Sequence, residues 1–126
     1  MGNQQRKWQK VYEIVCKAQD EAVKAIKSGV PMKLIDQVAC SIISEAGYGE
    51  MFTHRTGHGL GIEVHEESYL MSRNERPLEE GMVVSVEPGI YLTGKFGVRI
   101  EDIVVVTSNG AERLNHFSRD LIKIKC

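Results

Sequence analysis

The chain has 126 residues, of which 42% are hydrophobic and 26% charged, a composition typical of one globular domain. Sixteen Lys and Arg against seventeen Asp and Glu give a formal net charge of -1, which favours neither nucleic acid nor a membrane surface as a partner. No apolar run approaches the ~20 residues of a membrane span, and the first residues show no apolar signal core. The three cysteines, Cys16, Cys40 and Cys126, are far apart and odd in number. We therefore expect reduced thiols, a cytoplasmic location, and buried structural positions for Cys16 and Cys40.

Two amphipathic helices are predicted over about residues 5–46. In each, apolar residues recur at three- and four-residue steps. Gly29 and Pro31 end the first helix and Gly47 ends the second. Both are long enough to cover one face of a sheet. Their apolar stripes comprise Trp8, Val11, Tyr12, Val15, Ala18, Ala22 and Ile26, followed by Leu34, Ile35, Val38, Ala39, Ile42, Ile43 and Ala46.

Loops and strands are predicted for about residues 53–124. Residues 87–89, Glu-Pro-Gly, interrupt one apolar, β-branched segment. Residues 108–110, Ser-Asn-Gly, predict a hairpin, because Asn-Gly accepts the positive φ angles of a type I′ turn. Helices followed by antiparallel strands indicate an α+β fold with the helices on one sheet face. The predicted strands are Met82–Val86, Ile90–Leu92, Val98–Thr107 and Leu121–Ile124.

Three of the four histidines, His54, His58 and His65, lie within twelve residues. Glycines on both sides of His58 argue against a helix and indicate backbone brought close to a ligand or metal. A zincin site is excluded, because no second histidine follows His65 and Glu66 at the required spacing. The alternative is a polar loop whose histidines hydrogen-bond locally.

Carboxylates interrupt the apolar strands. Glu87 ends one predicted strand, and Glu101 lies with Arg99 in another. A carboxylate in such a run is costly to bury unless it is paired or bound to a cation. Alternation places Arg99 and Glu101 on one strand face with Ile103 and Val105, and an exposed Arg–Glu pair is the alternative explanation. Two glutamates and an imidazole suit Mn²⁺, Zn²⁺ or Co²⁺, but are too few for a dinuclear site, whose ions lie about 3.5–4 Å apart.

Four motifs follow one another along the chain: Gly57-His58-Gly59-Leu60-Gly61, His65-Glu66-Glu67, the segment from Gly81 to Tyr91, and Gly97-Val98-Arg99-Ile100-Glu101-Asp102. In this order they resemble the motifs of the pita-bread metallopeptidases, which comprise Xaa-Pro aminopeptidases, Xaa-Pro dipeptidases (prolidases) and methionine aminopeptidases. His54-Arg55 and the block from Arg99 to Asp102 are similar to the Xaa-Pro branch. The resemblance covers nearly the whole chain. It implies that residues 1–126 form the second half of a pita-bread domain, with two helices on a curved antiparallel sheet.

The same resemblance implies a ligand set. His58, Glu87 and Glu101 match metal ligands, and Glu101 would bridge two divalent ions of Mn, Co or Zn. Glu87 would also carry a proton from the nucleophile to the leaving amine.

The implied reaction is removal of the N-terminal residue from Xaa-Pro peptides by a hydroxide that bridges the two ions. His54 and His65 match histidines that hold the substrate carbonyl and its tetrahedral intermediate, and Arg99 matches an arginine that organises the site. Two alternatives are a non-catalytic protein-binding module of the same fold and a methionine aminopeptidase. Retention of the second-half site residues argues against the first, and the Arg99 block argues against the second.

Two features depart from the family pattern. The family's two aspartate ligands precede the first helix, and Asp20, Asp36, Asp102 and Asp120 do not match them. We therefore expect the chain alone to be inactive, to bind at most one ion weakly, and to associate as a homodimer that covers an open sheet edge. Ser68 stands where the family often has proline, which loosens a loop and removes no ligand.

Overall fold

The computed structural model describes residues 3–51, 56–58, 69–70, 74–92, 94 and 96–114, and gives the backbone alone for residues 3–5, 58 and 69. The strand predicted at residues 121–124 lies outside these ranges, as do Asp120 and Cys126.

Both predicted helices are confirmed. Helix α1 spans Asn3–Ala25 and helix α2 spans Met32–Glu45, followed by a short 3₁₀ helix at Gly49–Met51. Gly29 and Gly47, after the two helices, have φ angles of 93°. This left-handed conformation costs glycine little, so each position ends a helix without strain.

Helix α1 buries the predicted stripe, since Val11, Val15, Ala18, Ala22 and Ile26 are fully buried. Helix α2 buries a narrower stripe than predicted. Its inner residues are Met32, Ile35, Asp36, Ala39 and Ile43.

The outer part of the predicted α2 stripe is exposed or half-buried. Leu34 is 41% exposed, and with Val38 and Ile42 it lines a shallow groove beside Glu21 of α1. Cys16 and Cys40 are half-buried rather than fully buried.

The described residues form seven strands, and every strand pairing is antiparallel. Strand β1 pairs with β2, β4 pairs with β5, and β3, β6 and β7 form a sheet in the order β3-β6-β7. Together with the two helices, these sheets confirm the α+β class. The strands are β1 Gly57–His58, β2 Tyr69–Leu70, β3 Val83–Val86, β4 Gly89–Leu92, β5 Phe96–Arg99, β6 Asp102–Val106 and β7 Ala111–Arg113.

The prediction of one continuous strand from Val98 to Thr107 is wrong. Strand β5 ends at Arg99 and β6 begins at Asp102. The break lies opposite Glu87 and Pro88, between β3 and β4. The pairs β3–β6 and β4–β5 keep the same register, so one antiparallel pairing continues on both sides of the break.

The predicted hairpin is confirmed, because β6 pairs with β7 and Val106 lies opposite Ala111. Its turn is not type I′. The Thr107 N–H donates to the Gly110 carbonyl at 2.9 Å across a four-residue connection, and neither Asn109 nor Gly110 has a positive φ. A loop longer than two residues does not need the type I′ conformation.

One hydrophobic core joins the helices to the sheet. Val84 and Val86 of β3, with Val104 and Val106 of β6, are at most 1% exposed and belong to the same cluster as the buried faces of α1 and α2. On β6, Ile103 lies between buried Asp102 and Val104 and is 36% exposed. Alternation along this strand therefore separates a helix-covered face from an outer face.

Candidate active site

The two predicted carboxylate ligands lie beside each other at the end of the sheet. In the β3–β6 register, Val86 at the end of β3 lies opposite Asp102 at the start of β6. Glu87 follows Val86, and Glu101 precedes Asp102. One residue further, the Ile100 N–H donates to the Pro88 carbonyl at 3.3 Å. Continuation of the register thus brings Glu87 and Glu101 opposite each other.

Both carboxylates belong to the outer side of the sheet. Asp102 and Val104 are buried toward the helices, whereas Glu101 and Ile103 are exposed. Glu87 is half-buried. A carboxylate at such a place can meet a cation without crossing the apolar core.

The backbone of His58 runs alongside these residues. His58 lies in β1, opposite Tyr69 of β2. Two residues earlier, the Thr56 carbonyl accepts a hydrogen bond of 2.6 Å from the Glu87 N–H. A Cβ added to Gly57 would overlap the Ser85 carbonyl oxygen, so β1 lies directly against β3. Only glycine permits this approach.

Arg99 is the last residue of β5, opposite Gly89, and is exposed. His54 and His65 lie outside the described residues. No group of three His, Cys, Asp or Glu side chains within the described ranges could hold a metal ion. Of the predicted ligand set, those ranges include only the two glutamate side chains.

A buried polar network lies beneath Glu101, on the helix side of the sheet. Asp102, which is 6% exposed, accepts hydrogen bonds at Oδ2 from Gln19 Nε2 at 2.8 Å and Arg113 Nε at 3.0 Å. Arg113 Nη2 also donates to Gln19 Oε1 at 3.2 Å and to Asp20 Oδ1 at 2.8 Å. The network ties α1 to the strands that carry the predicted site.

A second buried carboxylate, Asp36 of α2, holds Thr56. Asp36 Oδ1 accepts hydrogen bonds from the Thr56 hydroxyl at 2.7 Å and from the Thr56 N–H at 3.2 Å. Burial raises the pKa of the nearby Cys40 thiol, and the charge of Asp36 raises it further. Asp36 and Asp102 thus both have hydrogen-bond partners within the fold.

The two described carboxylates fit a divalent metal. Glutamates at facing positions supply oxygen donors of a kind that Mn²⁺, Zn²⁺ and Co²⁺ accept. No helix in the described part of the chain is long and apolar enough to cross a membrane.

A family model described as metallopeptidase family M24 matches residues 1–108, and the chain belongs to this family. Its fold matches part of the pita-bread domain of Xaa-Pro peptidases. The chain is 50% identical over 118 residues to an uncharacterized peptidase of Staphylococcus aureus, a match covering 94% of this chain and 34% of the relative.

Two solved structures are closely similar. The prolidase from Pyrococcus horikoshii OT3 superimposes with a TM-score of 0.88 at 48% identity, over 93% of this chain and 34% of that one. The X-Pro aminopeptidase from Thermotoga maritima MSB8 superimposes with a TM-score of 0.86 at 50% identity, over 90% of this chain and 32% of that one. The chain therefore spans about a third of the length of these relatives.

Proposed function

We propose that the chain is the second half of the pita-bread domain of a metal-dependent exopeptidase, which removes the N-terminal residue from peptides with proline in second position. The observation that carries this proposal is the facing position of Glu87 and Glu101 on the outer side of the sheet, beside the strand of His58. The similarity to a prolidase and to an X-Pro aminopeptidase supports the proline preference.

In this proposal His58, Glu87 and Glu101 would hold the metal, and Glu101 would contribute to both ions of a pair. The metal, when bound, would supply a water activated at neutral pH and would polarise the scissile carbonyl. Glu87 accepts the proton of the attacking water and returns it to the leaving amine, as a general base and then a general acid.

The remaining site residues act on the substrate. His54 and His65 donate hydrogen bonds to the carbonyl oxygen as negative charge develops on it. Arg99 is exposed at the end of β5, two residues before Glu101, and organises the site around the carboxylates.

We also propose that the chain by itself is inactive. Asp20, Asp36 and Asp102 take part in hydrogen bonds with Arg113, Thr56 and Gln19, respectively, so they do not complete the ligand set. A dinuclear site shares bridging carboxylates between two ions, and Glu101 alone leaves the second ion weakly held. Purified chain with added Mn²⁺ or Co²⁺ should leave Ala-Pro and Ala-Pro-Ala intact. Metal-dependent turnover by the pure chain would contradict this part of the proposal.

The activity itself is tested in a chimera in which this chain replaces the matching 118 residues of the Staphylococcus aureus relative. With Mn²⁺, the chimera should release alanine from Ala-Pro or Ala-Pro-Ala. Glu101→Gln should abolish release. Glu112→Gln should not, because Glu112 is an exposed acid on β7, remote from the end of β3. A chimera that is folded but inactive, beside an active relative, would contradict the proposal. A preference for Met-Ala would instead assign the methionine branch.

A further inference from the structure

The Asp36 carboxylate is buried at the junction between α2 and the segment that leads to His58. Asp36 is 6% exposed and Thr56 is fully buried. One carboxylate oxygen accepts two hydrogen bonds from Thr56, one from the hydroxyl at 2.7 Å and one from the N–H at 3.2 Å. Burying a carboxylate is unfavourable without such bonds, and two bonds to one residue fix both its side chain and its backbone.

Thr56 in turn contacts two further elements. Its N–H also donates to the Leu70 carbonyl of β2 at 3.0 Å, and its carbonyl accepts the Glu87 N–H at 2.6 Å. Thr56 is therefore the point where α2, β2 and the residue after β3 meet.

The chain that follows Thr56 has little freedom. Gly57 lies so close to the Ser85 carbonyl that no side chain fits between them, and His58 is already paired in β1. A shift of Thr56 would therefore move His58 through two peptide bonds, and Glu87 through its N–H. Metal affinity depends on such outer contacts, because they hold the ligands at the spacing that the ion needs.

We propose that Asp36 is a positioning residue for the metal site: through Thr56, it fixes the backbones of His58 and Glu87 relative to each other. This inference rests on the proposed function, in which both residues are metal ligands. Asp36 itself is not a ligand in this proposal, because its carboxylate is engaged with Thr56 inside the fold.

The test compares Thr56→Val, which loses the hydroxyl but keeps the branched shape, with Thr56→Ser, which keeps the hydroxyl. Asp36→Ala and Asp36→Asn are made alongside them. If Asp36→Ala does not fold, the two Thr56 variants still decide the outcome. Two quantities are measured on the purified chain: amide hydrogen exchange and Mn²⁺ affinity.

Exchange requires no metal. In Thr56→Val, the Glu87 amide should exchange faster by about tenfold or more, the factor expected for losing one buried hydrogen bond. The Thr107 amide, bonded to Gly110 in the remote hairpin, should not change. If both amides accelerate equally, Asp36 and Thr56 stabilise the whole fold and the positioning role is wrong.

Mn²⁺ affinity tests the link to the site. Thr56→Val should weaken binding roughly 10–100-fold, as loss of an outer-shell contact typically does, and Thr56→Ser should stay close to the unmodified chain. If Thr56→Val binds as tightly as the unmodified chain, while His58→Ala does not bind, the metal site stands and the positioning role is wrong. If the unmodified chain and His58→Ala bind Mn²⁺ with equal affinity, the proposed metal site is wrong. The role proposed for Asp36 is then wrong as well.

Discussion

Gln19 Nε2 donates a hydrogen bond of 2.8 Å to Asp102 Oδ2, which ties the middle of α1 to the residue directly after Glu101. Gln19 is fully buried and the Asp102 side chain is 8% exposed. The pair therefore joins the helix layer to the strand that presents the proposed bridging ligand.

Asp102→Ala should lower the free energy of unfolding by about 2–4 kcal/mol, because it leaves Gln19 and Arg113 donors without their buried acceptor. Urea denaturation of the purified chain measures this loss. The matched control is Asp20→Ala, which removes the other carboxylate bonded to Arg113. Because the Asp20 side chain is 41% exposed, its loss should cost less than about 1 kcal/mol. Equal losses in the two variants would contradict a buried, cooperative network.

Gly57→Ala should destabilise the chain by about 1–3 kcal/mol, because the added methyl group overlaps the Ser85 carbonyl oxygen and forces β1 away from β3. Gly110→Ala is the control. Its nearest neighbour would be Thr107 Oγ1 at 3.7 Å, an ordinary contact, and its φ is not positive. Thermal unfolding should separate the two variants clearly. Similar midpoints would show that β1 does not depend on close contact with β3.

Cys40 should react with alkylating reagents only at relatively high pH. Burial and the Asp36 charge raise the pKa of the thiol, and the thiolate is the reactive form. The midpoint of its pH–rate profile with iodoacetamide should therefore lie above that of an unstructured cysteine peptide. Asp36→Asn should shift this midpoint downward, whereas Glu112→Gln on β7 should not. An unchanged midpoint in Asp36→Asn would show that the Asp36 charge does not act on Cys40.

The chain should associate in solution, and we propose a homodimer. Ile103 and Leu114 on the described surface are 36% and 52% exposed, and a twofold contact between identical chains is the commonest way to cover such groups. Light scattering over a range of micromolar concentrations checks this prediction. A uniform 14.1 kDa species throughout would show that the chain is a monomer.

The helices could be predicted from sequence because each buries a regular stripe. The break between β5 and β6 could not, because it lies opposite Glu87 and Pro88 on the partner segment, and only the pairing of β3 with β6 and of β4 with β5 reveals that position. The strand register likewise cannot be predicted from the sequence alone. The facing position of Glu87 and Glu101 depends on how β3 and β6 align, although both residues could be singled out as carboxylates in apolar segments.

No role could be assigned to Asp36 or Gln19 from the sequence, although both lie at helical positions whose spacing predicts burial. Asp36 lies four residues after Met32 and three before Ala39, on the buried face of α2. Gln19 lies four residues after buried Val15. A polar residue at a core position needs a buried partner. The pattern predicts that a partner exists but not which one, because Thr56 and Asp102 are distant in sequence.

Calorimetric titration of the purified chain with Mn²⁺ shows whether His58, Glu87 and Glu101 form one metal site. We predict a single weak site that is lost in His58→Ala and in Glu101→Gln, and retained in Glu112→Gln. Two tight sites, or Mn²⁺ binding unchanged in His58→Ala, would contradict a single weak site formed by these three residues.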